Sequence, residues 1–200
     1  MASTFLVYLH LGFDHIVAVG AWDHILFIVA LSAGYAVGHW RQLLVLVTAF
    51  TIGHSLTLAL ATLRLVSVNS TLVEILIPAT ILATGVFNLA ETRTRPDDLD
   101  FPARAQRVKY AMALFFGLIH GLGFSTFLRA VLGREESIAL PLFSFNVGLE
   151  VGQIVILACI VVVTWATVRW TPMRRTLWTI ILSVIASVFA LVLLAGRIPF

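Results

Sequence analysis

The chain has 200 residues, of which 60% are hydrophobic and only 12% are charged, with a net charge of +3. A soluble domain carries about 25% charged residues, so this composition excludes a water-soluble globule and predicts a protein whose apolar surface faces the lipid bilayer. One cysteine, Cys159, excludes a disulfide framework or a multi-thiolate metal site. The basic residues are scattered over short connections, which gives no indication of nucleic-acid binding.

The apolar segments predict an all-α bundle of about six transmembrane helices, forming one domain over residues 1–200. A helix crosses the hydrocarbon core with about 20 apolar residues, and it satisfies its backbone polar groups internally. In chain order, the predicted spans are approximately 15–37, 43–63, 73–89, 108–128, 138–166 and 176–195.

Lysine and arginine predict the orientation, because cytoplasmic connections carry an excess of both. The side that we expect to be cytoplasmic collects Arg41, Arg93, Arg95, Arg104, Arg107, Lys109, Arg169, Arg174 and Arg175. The other side carries Arg64, Arg129, Arg134 and Arg197. We therefore expect both termini on the periplasmic side of a bacterial inner membrane.

Ionisable and amide side chains lie inside the predicted spans, where a charge costs about 2.5–3.5 kcal/mol on insertion scales. In chain order they are Asp14, His15, Asp23, His24, His54, His120, Asn146, Glu150 and Gln153. With about 1.5 Å of rise per residue, five of them lie roughly 13–16 Å into their respective spans: Asp23, His24, His54, His120 and Glu150. The sequence therefore predicts a polar cluster near the bilayer midplane.

The spacing within each helix supports this cluster in part. Asn146, Glu150 and Gln153 are spaced i, i+4, i+7 and share one helix face. Gly117 and Gly121 form a small-xxx-small pair, which predicts close approach of another helix beside His120. Asp23 and His24 point about 100° apart, so both face the interior only if their helix is central or distorted near Gly20.

Imidazole and carboxylate ligands without thiolate suit nickel, cobalt, zinc, copper, iron or manganese. Asp23, Asn146 or Gln153 would then accept the second ring N–H of a histidine ligand. A shallower set at the outer mouth includes Asp14, His15 and Glu74, and it is equally compatible with a solvated position at the headgroups. A buried histidine can also serve only for interhelical hydrogen bonding.

Five sequence motifs carry a family resemblance, and they run through most of the chain. They are GFDHI (12–16), GAWDHILF (20–27), TAFTIGHSLT (48–57), GLIHGLGF (117–124) and FNVGLEVGQ (145–153). Together they resemble the HupE/UreJ family, in the branch whose first helix carries two Asp-His pairs.

The resemblance implies a small membrane protein associated with nickel supply to hydrogenase and urease, described as a nickel or cobalt permease. It implies metal ligands at Asp23, His24, His54, His120 and Glu150. Typical members have a His-Pro before the Gly-x-Asp-His element, whereas this chain has Asp14-His15-Ile16 and a longer spacing. This departure bears on nickel specificity, and leaves nickel, cobalt and zinc as candidate ions.

Two functions compete for this site. The first is a divalent transition-metal permease. The alternative is an intramembrane zinc-dependent hydrolase, in which histidines hold zinc and Glu150 or Asp23 acts as general base. A b-type haem carrier would need two axial histidines in a flat slot, and the carboxylates Asp23 and Glu150 argue against it.

Overall fold

The computed structural model describes residues 2–18, 20–94, 102–132 and 137–197, and all regular secondary structure in these ranges is helical. Seven α-helices follow one another: α1 (Ala2–Val17), α2 (Trp22–Ser32), α3 (Trp40–Thr62), α4 (Ser70–Thr94), α5 (Ala103–Leu132), α6 (Ala139–Trp170) and α7 (Arg175–Ala195). A 3₁₀ turn, Val37–His39, leads into α3. The predicted all-α fold is confirmed.

Helices α3 to α7 are long and apolar enough to cross a bilayer, and α1 with α2 adds a sixth crossing if the bent pair is one span. Large apolar side chains cover the outside, and Phe115, Phe143 and Val162 are each more than half exposed. So much exposed apolar surface is unfavourable in water but not against lipid tails. The chain is therefore an integral membrane protein.

The first predicted span, 15–37, differs most from the structure, which has two helices meeting at 69°. Helix α1 begins far earlier, at Ala2, and α2 begins after Ala21, whose φ of −92° and ψ of 39° are not helical. Gly20 lies in the break with no atom within 4 Å of the position that a Cβ would take, so no packing holds a helix there. The sequence analysis requires a distortion near Gly20 if Asp23 and His24 are both to face the interior, and this break is that distortion.

Helices α3 and α5 touch backbone to backbone, as the spacing of Gly117 and Gly121 predicts. A Cβ on Gly117 would collide with the carbonyl of Phe50, and one on Gly121 with the carbonyl of His54. Only glycine allows this approach. The contact fixes the part of α3 that carries His54 against the part of α5 that carries His120.

A second close contact joins α1 to α6. A Cβ on Gly12 would meet the carbonyl of Phe145, and one on Gly148 would meet the carbonyl of Leu9. Helix α2, in contrast, packs mainly on α4 and α7. The two halves of the broken element therefore have different partners.

Candidate metal centre

Three histidines from three helices converge at the break between α1 and α2. His15 lies in the last turn of α1, His24 in the first turn of α2, and His54 in α3. Each offers one ring nitrogen, and the three nitrogens lie within 4.8 Å of one another. Ligand nitrogens in a tetrahedral site with bonds of about 2.0–2.1 Å are about 3.4 Å apart. Side-chain adjustments of about an ångström would therefore bring the three onto one ion.

Each of these imidazoles has at least one buried ring nitrogen that no described residue bonds. Nε2 of His15, Nε2 of His24 and both ring nitrogens of His54 have no hydrogen-bond partner among the described residues. Leaving one buried polar group unsatisfied costs about 1–3 kcal/mol, and here several such atoms are adjacent. An ion that took a lone pair from each ring would remove that penalty at one nitrogen of each ring, and an imidazole donor set suits zinc, copper, iron or nickel. We refer to His15, His24 and His54 as the three-histidine group.

Asp23 sets the orientation of His24. Its Oδ1 accepts the backbone N–H of His24 at 2.9 Å and lies 3.0 Å from the ring Nδ1. A neutral His24 therefore keeps its proton on Nδ1 and presents the lone pair of Nε2, the nitrogen with no partner. Metal-bound histidines commonly have this arrangement, with the second nitrogen donating to a carboxylate.

His120 lies beside the three-histidine group, with its ring centroid 5.3 Å from that of His24. Its Nε2 is 3.0 Å from Oγ1 of Thr80, and that hydroxyl donates its own proton to the carbonyl of Ile77 at 2.6 Å. Because a hydroxyl has one proton, Nε2 of His120 must be the donor to Thr80. The lone pair is then on Nδ1, which is buried without a partner. His120 therefore has the tautomer that a fourth ligand would need.

Aromatic rings pack around the histidines. The ring centroid of Phe124 is 3.9 Å from that of His15, and Phe145 stacks on His54 with an interplanar angle of 19°. Phe124 and Phe145 also stack on each other at 5.1 Å. Phe124 and Phe145 lie in two of the sequence motifs, but the sequence analysis considered only the polar residues of those motifs as candidates for the site.

A cavity of about 410 Å³ links the histidines to the exterior. Its deep part is lined by His15, His24 and His120, and its outer part by the exposed carboxylates of Asp14 and Glu74. Asp14 and His15 are adjacent in sequence, yet only His15 joins the three-histidine group. Of the shallow set that the sequence predicts, Asp14 and Glu74 therefore lie at the mouth of the cavity, and His15 lies in the three-histidine group.

Arg197 closes one wall of this cavity, and the sequence analysis used it only for topology. Pro78 has no N–H, so the carbonyl of Glu74 lacks its usual helical partner. Nη1 of Arg197 donates to that carbonyl at 2.8 Å, while Nη2 lies 3.9 Å from Oδ2 of Asp23. In the sequence, Pro78 is the residue that could have indicated this contact, because a proline inside a helix leaves a carbonyl free to accept a hydrogen bond from another side chain.

Three residues predicted for the site lie on α6 outside the three-histidine group. Oε1 of Glu150 accepts from Thr48 Oγ1, and Oε1 of Gln153 accepts from Thr51 Oγ1, each at 2.8 Å. Nδ2 of Asn146 donates to its own helix, at the carbonyl of residue 142, and its Oδ1 is buried with no partner among the described residues. Depth along a helix is readable from sequence, but the direction that each side chain faces is not.

Comparison with known proteins adds one match. A family model described as HupE / UreJ protein matches residues 1–196 of the chain. No curated protein and no solved structure matches it.

Proposed function

The chain belongs to the HupE/UreJ family, and from this premise we propose that it is a membrane permease for a divalent transition-metal ion of the nickel or cobalt type. The family is known for nickel/cobalt transporter-like proteins. The observation that carries the proposal is the convergence of unpartnered nitrogens from His15, His24 and His54, of which His15 and His24 line an open cavity. Ionisable residues inside membrane spans mark ion pathways, and these imidazoles suit such ions.

Entry would begin at the carboxylates of Asp14 and Glu74. Negative charge in a cleft with apolar walls raises the local concentration of cations. The ion would then pass Asp23 and exchange water for the nitrogen of His24. The order of groups, from hard carboxylates outside to imidazoles inside, favours transition metals over calcium or magnesium at the deeper step.

Release requires that the deep site bind incompletely, since conduction needs binding weak enough for the ion to leave. Three nitrogens leave coordination positions for water on an ion that takes four to six ligands. Beyond His54, about one and two turns toward the start of α3, the pairs Thr51–Gln153 and Thr48–Glu150 offer oxygen atoms for the exit.

The direct test is accumulation of radioactive nickel or cobalt by cells that express the protein. We expect His24→Ala and His54→Ala to reduce uptake to the level of cells without the protein. Cys159→Ala is the matched control, because Cys159 is exposed and lies outside the site. Uptake that persists in both histidine variants at equal expression would refute the permease.

An intramembrane zinc-dependent hydrolase is the second candidate, because three histidines with an open fourth position also form catalytic zinc sites. Its proposed general bases are both engaged, Asp23 by His24 and Glu150 by Thr48. Elemental analysis of the purified protein separates the two functions. About one retained zinc per chain, lost in His54→Ala and His120→Ala, would favour the hydrolase. Weak, saturable nickel or cobalt binding, abolished in both variants, would favour the permease.

The location follows from the charge distribution. We infer a bacterial inner membrane with both termini periplasmic, since Lys and Arg concentrate on the opposite side. Alkaline phosphatase fused after Phe200 should be active, because it folds only in the periplasm. A fluorescent protein fused there should be dark. The reverse pattern would overturn the orientation without affecting the metal site.

A further inference from the structure

A second cavity, of about 300 Å³, lies where α6 ends and α7 begins. Its walls come from α6, from the first residue of α7 and from the chain before α3, and its lining residues are Ala36, Gly38, Thr164, Trp165, Val168, Arg169 and Arg175. None of these residues lines the cavity of the metal centre. The cavity lies at the end of the bundle where the basic residues collect.

The charges around this cavity are all positive. Arg169 and Arg175 line it without any acidic residue, and no ion pair within the described residues involves either arginine. Nη2 of Arg175 is buried and has no hydrogen-bond partner in the described parts of the chain. A guanidinium presents paired N–H donors that match two oxygens of a phosphate. The chemistry of this cavity therefore suits an anion with paired oxygens, such as a phosphate.

The remaining walls suit a lipid. Trp165 lines the cavity and is 47% exposed; Trp170, outside the lining, is 75% exposed, and the two rings meet edge to face at 5.5 Å. Tryptophans of this kind mark the headgroup level of a bilayer. Nε1 of Trp178 donates to Thr164 Oγ1 at 3.1 Å and so ties α7 to α6 beside the cavity. The site combines a basic rim with apolar walls at the depth of the phosphates.

We propose that this cavity binds one anionic phospholipid, with its phosphate on Arg175 and Arg169 and its glycerol and upper acyl chain against Trp165 and Val168. Basic cavities between transmembrane helices on the cytoplasmic side bind such headgroups. A phosphatidylcholine headgroup would bring a quaternary ammonium close to two arginines, which disfavours it. The site is independent of the metal chemistry and would remain if the permease proposal failed.

Native mass spectrometry of the purified full chain, titrated with phosphatidylglycerol or phosphatidylcholine, tests the proposal. We expect one phosphatidylglycerol to bind preferentially, and Arg175→Gln or Arg169→Gln each to weaken it about fivefold. Arg107→Gln is the matched control, because it removes an exposed arginine at the same predicted side but outside the cavity. An equal loss in Arg107→Gln, or equal binding of both lipids, would overturn the site.

A second readout keeps the proposal testable if Arg175→Gln fails to fold. Arg169 is exposed, so Arg169→Gln should fold and still lose affinity. Brominated phosphatidylglycerol should quench tryptophan fluorescence more than brominated phosphatidylcholine, and Trp165→Phe should remove most of that difference. No difference between the brominated lipids would refute the proposal. Displacement by inorganic phosphate at the lipid's own concentration would point to a simple anion site and would also refute it.

Discussion

Helix α3 carries two kinds of polar residue, and they differ in whether the fold satisfies them. Thr48 and Thr51 each bond a side chain of α6 at 2.8 Å, at Glu150 and Gln153. About one turn later, His54 is 0% exposed and neither ring nitrogen has a partner among the described residues. Polar atoms without partners are costly inside a bilayer. We therefore interpret the two threonine pairs as helix-to-helix bonds, and His54, which lies beside His15 and His24, as a ligand position.

The strongest test of this contrast is His54→Leu. We expect metal affinity to fall by more than about 100-fold, since losing even an outer partner of a ligand costs about 10–100-fold. The metal-free protein should become more stable, because a buried unsatisfied group that costs about 1–3 kcal/mol is gone. Calorimetric titration with nickel or cobalt measures the first effect, and thermal unfolding without metal measures the second. A less stable metal-free variant would mean that His54 is structural.

Asp23→Asn should have the next largest effect. The amide keeps an oxygen for His24 but loses the charge that makes the imidazole a better donor, so we expect affinity to fall about 10–100-fold. Asp14→Asn removes an exposed carboxylate at the cavity mouth, and the same titration should register a much smaller change. Equal losses in the two variants would indicate general attraction of cations, with no special role for the Asp23–His24 pair.

Gly121→Ala tests whether the backbone contact between α3 and α5 positions His54. The new Cβ would collide with the carbonyl of His54 and with Thr57 Oγ1, and overpacking of this kind costs about 1–3 kcal/mol. Gly123→Ala is the control, because its Cβ would meet side-chain atoms and no backbone: Cδ1 of Ile77 at 3.1 Å and Cγ1 of Val73 at 3.6 Å. Thermal unfolding and metal titration should both be affected in Gly121→Ala. If the two variants behave alike, the contact does not position the histidine.

Glu150→Gln should have the smallest effect. Its amide still offers an oxygen to Thr48, so we expect a stability change within about 0.5 kcal/mol and uptake close to that of the unmodified protein. Uptake assays at matched expression measure this. A loss as large as that of His54→Leu would return Glu150 to the ligand set and would break the distinction between paired and unpaired residues.

The sequence predicted the parts of the fold that depend on length and apolar content. The spans corresponding to α3 through α7 were identified because each needs about 20 apolar residues. His24, His54 and His120 were expected at one depth, since rise per residue converts position into depth. The sequence leaves open whether His15 belongs to the outer mouth or to the deep site, because a straight helix would place it at the mouth. Only the bend beside Gly20 brings it to His24.

The other differences between prediction and structure concern the directions that side chains face and the contacts between residues far apart in the sequence. Glu150 lies at a suitable depth, but its side chain bonds to Thr48, and its role as a ligand stays a prediction. Arg197 reaches Glu74 and Asp23 across the whole sequence. Such a contact depends on how α7 packs against α4, which hydrophobic patterns do not encode.

The break between α1 and α2 also bears on how the N-terminal segment packs in the membrane. With 16 and 11 residues, neither half reaches the length of about 20 that a membrane crossing requires. Helix α1 finds its close partner, through Gly12 and Gly148, only after α6 has been synthesised. The close packing of α1 is therefore completed only when α6 is present, although the two helices are far apart in the chain.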